Sequence, residues 1–237
     1  VYQKAADNLT AFKDAGWLVQ DEQPAYYLYQ LTMDGRSQTG LVVCTSIDDY
    51  ISGQIKKHEF TRPEKEIDRI NHVLACDANT SPIFLSYRQP AALKEQIDAW
   101  QAAHPPIYDF ASYQDVQHRV WLVDDPALLE IIGGAFADVD ALYIADGHQR
   151  TESAVKVGLQ KRESGQSSVE SERFLSILFP ENELAIWEYN RVLRYSVPEN
   201  FFEDLSVNFT IKQTTDKKPA QAGTIHLYLD HQWWALT

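Results

Sequence analysis

Apolar residues recur at helical spacing from Val1 to Ala15 (Ala5, Leu9, Phe12), and Gly16 follows where a helix C-cap belongs. Ala25 to Met33, with Tyr26, Leu28 and Leu31, reads as a strand; Asp34-Gly35 is a hairpin signal, and Gly40 to Thr45 is the returning strand. A polar loop leads to Lys56-Lys57-His58-Glu59-Phe60-Thr61. Thr61 is a good N-cap residue ahead of Pro63, so a charged helix is expected from there to about Leu74. Pro82 to Tyr87 and Val120 to Val123 predict strands, Ala91 to Ala102 a helix, and Asp125-Pro126 opens another helix running to about Phe136. Ala141 to Ala145 predicts a short buried strand, ending on Asp146-Gly147 with a helix from His148 through Leu159.

Residues 163 to 172 are rich in Ser, Gly and Glu and predict a mobile connection. The remainder reads as β-rich: Phe174 to Phe179, a turn at Glu181-Asn182, Leu184 to Trp187, and a terminal hairpin of Ile225 to Leu229 with Trp233 to Leu236 about Asp230-His231. Thr214 to Gln221 is polar and expected to be flexible. The pattern therefore predicts a mixed α/β fold, with a core over 1–165 and an antiparallel β-rich portion over 166–237.

Composition narrows the partners. The 237 residues carry 34 acidic and 21 basic side chains, a formal charge of -13, which argues against a nucleic-acid surface. A local basic pocket can still hold one small anion. Cys44 and Cys76 have neither zinc-site spacing nor disulfide density, and Cys44, inside Leu41-Val42-Val43-Cys44, reads as a buried thiol; the expected compartment is the cytoplasm. No apolar run approaches the roughly 20 residues that span a bilayer, so no membrane partner is expected. The chain opens on what reads as the inside of a helix, so it is expected to be a fragment of a longer protein.

The order strand, Ala145-Asp146-Gly147-His148-Gln149-Arg150, helix carries the most chemistry. Glycine allows a sharp turn, and the free N–H groups of the following helical turn, with its dipole, favour an anion. Arg150 adds a permanently charged fork, His148 an acid or base near neutrality, and Asp146 a metal ligand or proton acceptor. On the residues alone the plainer description is a glycine turn with Asp146 as helix N-cap and a surface arginine. A second cluster, Lys57-His58-Glu59 with Thr61 and Arg62, offers cations for phosphate oxygens and, in Glu59, a base or Mg²⁺ ligand. Lys65 and Arg69 share a helix face from which Glu66 is set off; Lys65 and Glu66 read as solvated charge. His72, His104, His118, His226 and His231 read as surface or packing histidines, and Trp100, Trp121, Trp187, Trp233 and Trp234 as core or edge packing.

These motifs resemble the bacterial family catalogued as domain of unknown function 1015, whose hallmark is an Ala-Asp-Gly-His-His-Arg box after a short strand. Ile55-Lys56-Lys57-His58-Glu59 with Thr61, Lys65-Glu66, Asp68-Arg69, Asn79-Thr80-Ser81-Pro82 with Tyr87, and Tyr189-Asn190-Arg191-Val192 extend the likeness over nearly the whole chain. Gln149 departs from it, standing where a second His is usual. Gln can donate a hydrogen bond but takes up no proton near neutrality. Full-length members carry an additional N-terminal segment. The box is also similar to the Asp-Gly-x-x-Arg phosphate element of the ParB and sulfiredoxin-like superfamily, which includes kinases of free serine.

That likeness implies a ParB/sulfiredoxin-like core. Gly147, His148, Gln149 and Arg150, joined by Lys57, His58 and Thr61, would hold phosphates. Glu59, Asp146 and His148 would be catalytic, with Asp146 and Glu59 on Mg²⁺. Arg69, Asn190 and Arg191 would reach substrate or support the site. The expected function is ATP- or ADP-dependent phosphoryl transfer to a small hydroxyl compound such as serine. The alternative is a non-catalytic nucleotide- or anion-binding regulator. A ParB-like nuclease is disfavoured by the acidic charge.

Overall fold

The computed structural model describes residues 1–187 and 189–237, in two compact units, Val1–Ile186 and Trp187–Thr237. In chain order the described residues form α1 (Tyr2–Asp14), β1 (Tyr26–Met33), β2 (Arg36–Ser46), α2 (Ile47–Ile51), β3 (Ile55–Lys56), α3 (Pro63–Cys76) and β4 (Ile83–Tyr87). There follow α4 (Ala91–Ala103), β5 (Tyr108–Ala111), β6 (Gln117–Val123), α5 (Pro126–Ala137), β7 (Leu142–Asp146), α6 (His148–Glu163) and β8 (Arg173–Pro180). The second unit holds α7 (Phe201–Ser206), β9 (Ile211–Thr214), β10 (Ile225–Leu229) and β11 (Gln232–Leu236). The fold is mixed α/β, as the pattern predicts.

The first unit is built on an eight-stranded mixed sheet in the order β3-β7-β4-β8-β2-β1-β6-β5. β3 runs parallel to β7 and β4 parallel to β8; the other neighbours are antiparallel. Asp34 and Gly35, both at positive φ (52° and 75°), make the tight β1–β2 turn, as expected of this dipeptide. Strand alternation sorts the side chains: Ile83, Leu85 and Tyr87 of β4 and Phe174 and Leu178 of β8 are buried. They share a core with Ile47 of α2, Leu93 and Ile97 of α4, Leu128 and Ile132 of α5, and Ala154 and Val155 of α6. Asp125 caps α5 by accepting from the Leu128 amide at 2.9 Å.

Several expectations change. The division at 165/166 moves to 186/187 because β8, expected to begin the C-terminal portion, sits inside the main sheet between β4 and β2. Cys44 is exposed, since the period of two along β2 sends Leu41 and Thr45 inward and Cys44 to the other face. β7 is one-sided rather than buried: Leu142 and Ile144 face the core, and Tyr143 is 42% exposed. The helix N-cap at the start of α3 is Arg62, not Thr61, whose hydroxyl is turned to Glu66. Leu184–Trp187 forms no strand; a short 3-10 turn at Glu181–Glu183 precedes it, and Trp187 is exposed rather than packed. α2, β3, β5, α7 and β9 are short elements that the periodicity did not predict, and β9 occupies Thr214, the start of the stretch expected to be flexible. The 163–172 connection is tied by Arg162 to Glu172 and by reciprocal Ser168–Ser171 bonds.

The second unit is a three-stranded antiparallel sheet, β10-β11-β9, with a hairpin turn at Asp230 and His231 (φ 50° and 64°). Phe202 of α7 meets Trp234 of β11, ring centroids 4.7 Å apart.

Gly158, inside α6, lies close against the scaffold. A Cβ there would lie 2.6 Å from the Ser171 carbonyl oxygen and 2.7 Å from Ile47 Cδ1. Gly-to-Ala in a helix interior ordinarily stabilises by up to about 1 kcal/mol. Here overpacking reverses the sign, and Gly158→Ala is expected to lose about 1–2 kcal/mol in urea unfolding.

Candidate functional site

Topology brings three chain segments to one end of the sheet. β3 and β7 are parallel, so residues 57–61 and the Asp146-Gly147 turn leave side by side from their carboxyl ends. β4 is antiparallel to β7, with Phe84 opposite Asp146, so its entry at Ser81-Pro82 lies at the same end. The β4–β7 register shifts between Phe84 and Leu85, an irregularity of the kind that re-aims strand ends beside functional sites.

Gly147 is the N-cap of α6, at φ 102° and ψ 28°, a conformation that a side chain strongly disfavours. Asp146 is therefore not the cap, and among the described residues no side chain caps this helix or places an acid in its first turn. The first helical bond runs from the Thr151 amide to the Gly147 carbonyl at 2.9 Å. The amides of His148, Gln149 and Arg150 precede it, so they have no intrahelical acceptor. A sixteen-residue helix thus ends in three donors and a positive dipole end.

Arg150 is fastened rather than free. Its Nη1 donates to Ser81 Oγ and to the Pro82 carbonyl, both at 2.7 Å, and its Nη2 to Asp146 Oδ2 at 2.6 Å. The guanidinium lies flat against the glycine: a Cβ on Gly147 would sit 3.0 Å from Nε and Nη2. Asp146, expected as a metal ligand or base, is the carboxylate that orients this arginine. Arg150 thereby ties the ends of β4 and β7 and keeps its charge, 29% exposed, beside the α6 terminus.

His148 is 6% exposed. Its Nε2 accepts from the His58 amide at 3.4 Å, which places the ring proton on Nδ1, 3.5 Å from Glu59 Oε2. The His58 ring meets it edge-on, centroids 4.5 Å apart. Burial, with His58 and Lys57 nearby, pushes the His148 pKa below its ordinary value, against the opposing pull of Glu59 and Asp146. His148 is thus a neutral ring bracing the 57–61 loop, while Glu59, 71% exposed, faces solvent.

The sign of the resulting pH dependence follows. Below the ordinary histidine value of 6.5 the unfolded chain binds this proton before the folded one does. Stability therefore falls as pH drops through that region. His148→Gln is expected to flatten this slope between pH 7 and 5 in urea unfolding, and an unchanged slope would contradict a buried neutral ring.

The other expected phosphate ligands face the scaffold. Lys57 Nζ donates to Tyr50 Oη at 3.3 Å and lies 4.0 Å from Glu152, while Tyr50 in turn donates to Glu152. The Thr61 hydroxyl donates to Glu66, which is 7% exposed and ion-paired with Lys156. Glu66 is therefore a buried anchor and not solvated charge. Ser153 Oγ donates to the Gln149 carbonyl at 2.7 Å and reaches the Glu66 carbonyl at 3.3 Å, joining α6 to α3. Gln149 is half-buried, and its Oε1 is buried without a partner among the described residues. Arg62, Lys65 and Arg69 are exposed on or before α3. Asn190 and Arg191 are exposed in the second unit.

Among the described residues no group of three or more His, Cys, Asp or Glu is placed to hold a metal ion. No helix among the described residues is long and apolar enough to cross a membrane. Ser81, Tyr50, Glu152 and Lys156 were assigned no role by sequence. The i, i+4 pair Glu152/Lys156 on the helix that follows the box was the available signal for two of them.

The family described as "Protein of unknown function (DUF1015)" matches residues 1–237. The chain belongs to the DUF1015 family. The box, the 55–61 loop and the Ser81-Pro82 entry of this DUF1015 chain are the segments that converge at one sheet end. No curated protein and no solved structure matches the chain.

Proposed function

We propose that this chain binds a nucleotide phosphate at the amino terminus of α6 and transfers a phosphoryl group to a small hydroxyl compound. The observation that carries the proposal is the uncapped α6 turn at Gly147, three leading amides beside a guanidinium fixed in place by Ser81, Pro82 and Asp146. Phosphoryl transfer asks a protein chiefly for positioning and charge neutralisation, which rigid donors at a helix terminus supply. The likeness of Asp146-Gly147-His148-Gln149-Arg150 to the phosphate element of the ParB and sulfiredoxin-like superfamily points to the same ligand.

In this reading Glu59 accepts the hydroxyl proton, the hydroxyl oxygen attacks the terminal phosphorus, and the bond to the departing nucleoside phosphate breaks. Glu59 fits because it is exposed and oriented by His148; Asp146 does not, because Arg150 holds it. Asp146 stays with Arg150 in this reading, and Glu59 serves as the base. Mg²⁺ would arrive on the nucleotide.

Titrating the protein with ADP or ATP in the presence of Mg²⁺ should raise its melting temperature, and turnover should follow with a panel of hydroxyl metabolites that includes serine. Glu59→Gln is expected to lower turnover about 10²- to 10⁴-fold and leave nucleotide affinity near wild type. No thermal shift with either nucleotide sinks the proposal. The second reading, a non-catalytic nucleotide-binding regulator, draws support from Gln149 in place of a proton-carrying histidine and from the engagement of Asp146; it predicts affinity without product.

A further inference from the structure

Phe60 is 99% exposed, and its ring stands entirely in water. Residues on both sides of it are anchored. The His58 amide is bonded to His148 and the His58 ring rests on the same imidazole. The Glu59 carboxylate lies 3.5 Å from His148 Nδ1, and the Thr61 hydroxyl is held by buried Glu66. Consecutive Cα atoms are about 3.8 Å apart, so Phe60 is carried within one residue of the contact that closes on the first residue of α6.

An exposed phenyl ring on a loose loop needs no explanation. One carried between His58 and Thr61, both of them anchored, does, because those anchors hold the ring away from the scaffold. Fully exposing such a ring forfeits the hydrophobic gain of a Phe side chain, and a ligand lying against it would recover that gain. The ligand must also satisfy the anion seat next door.

We propose that Phe60 is the stacking platform for the planar ring of a ligand whose phosphate sits at the α6 terminus, which makes the ligand a nucleotide rather than a sugar phosphate or inorganic phosphate. This rests on the anion-seat reading above and assigns the part of the ligand that reading leaves open. Base-on-aromatic stacking tolerates any base because each presents a π-face. Phe60 therefore selects for the presence of a ring more than for its identity.

Calorimetric titration of the whole chain with ADP and with pyrophosphate, for wild type, Phe60→Ala and Phe60→Trp, tests this. Phe60→Ala is expected to weaken ADP roughly tenfold or more and to leave pyrophosphate affinity and melting temperature unchanged. Phe60→Trp should retain ADP affinity, and its added tryptophan emission should change with ADP and not with pyrophosphate. Unchanged ADP affinity in Phe60→Ala overturns the stacking assignment while leaving the anion seat standing. Equal weakening of both probes also overturns it, since that is loop displacement. A shift from dimer to monomer in Phe60→Ala would assign the ring to a second copy instead. Failure of wild type to bind either probe removes the seat and this inference with it.

Discussion

Replacing Gly147 with alanine is expected to lower stability by about 2 kcal/mol and to abolish measurable ADP binding. Two effects add. A non-glycine residue pays of order 1–3 kcal/mol to hold such a backbone conformation, and Gly147 sits at φ 102°. The new methyl would also lie 3.0 Å from Nε and Nη2 of Arg150, whose hydrogen bonds to Ser81, Pro82 and Asp146 resist displacement. Relief of either strain rotates the first turn of α6 or unseats the guanidinium, and both supply the anion seat. Urea unfolding reads the first consequence and calorimetry with ADP the second. An alanine variant that binds ADP as wild type does would refute the seat, whatever its stability. Arg150→Lys is the companion: one ammonium on a flexible stem cannot reproduce a planar fork that spans three acceptors, so β4 and β7 lose their tie while the charge remains.

Lys156→Met is expected to cost about 2–3 kcal/mol. Glu66 is 7% exposed, and Lys156 with Thr61 holds its carboxyl below the ordinary carboxylate value. Removing the lysine leaves a buried charge with the Thr61 hydroxyl and the more distant Lys57 charge, the costly way to break such a pair. The magnitude stays at the lower end because the Lys156 side chain is 44% exposed and shares its charge with solvent. A depressed carboxyl pKa contributes stability that is present above the ordinary value of 4.5 and lost as pH falls through the folded value. The gap between wild type and Lys156→Met should therefore be widest at neutral pH and narrow below pH 4.5, where protonation relieves the variant's stranded carboxylate. Glu66→Gln combined with Lys156→Met should recover most of the loss, because a neutral amide still accepts from Thr61. A gap that is flat across pH would show that Lys156 contributes packing rather than charge.

Local patterning was legible wherever a segment's own chemistry dictates its geometry. Asp34-Gly35 and Asp230-His231 turn as their side chains allow, Asp125-Pro126 starts α5, and Gly16 (φ 72°) terminates α1. The box was legible for the same reason: a glycine between a strand and a helix leaves amides free wherever the rest of the chain goes. Short elements escaped because two to six residues carry too few periods to register; β3, with only Ile55 and Lys56, exists because β7 offers it a partner.

By itself, then, the amino-acid sequence determined the mixed α/β class, the strand–glycine–helix turn and the residue types that meet there. The tertiary structure alone decided what each of those residues does. Asp146 and Arg150 are four apart on the chain and pair locally, but Ser81 and Pro82, which complete the clasp, arrive only because β4 runs antiparallel to β7. Glu66 became an anchor instead of a solvated charge because α3 packs on α6 and brings Lys156 to it. His148 was buried, and Glu59 left facing solvent, by the parallel exit of β3 beside β7. Partners that lie 68 to 90 residues apart are set by strand order, and no local window of the chain contains that order.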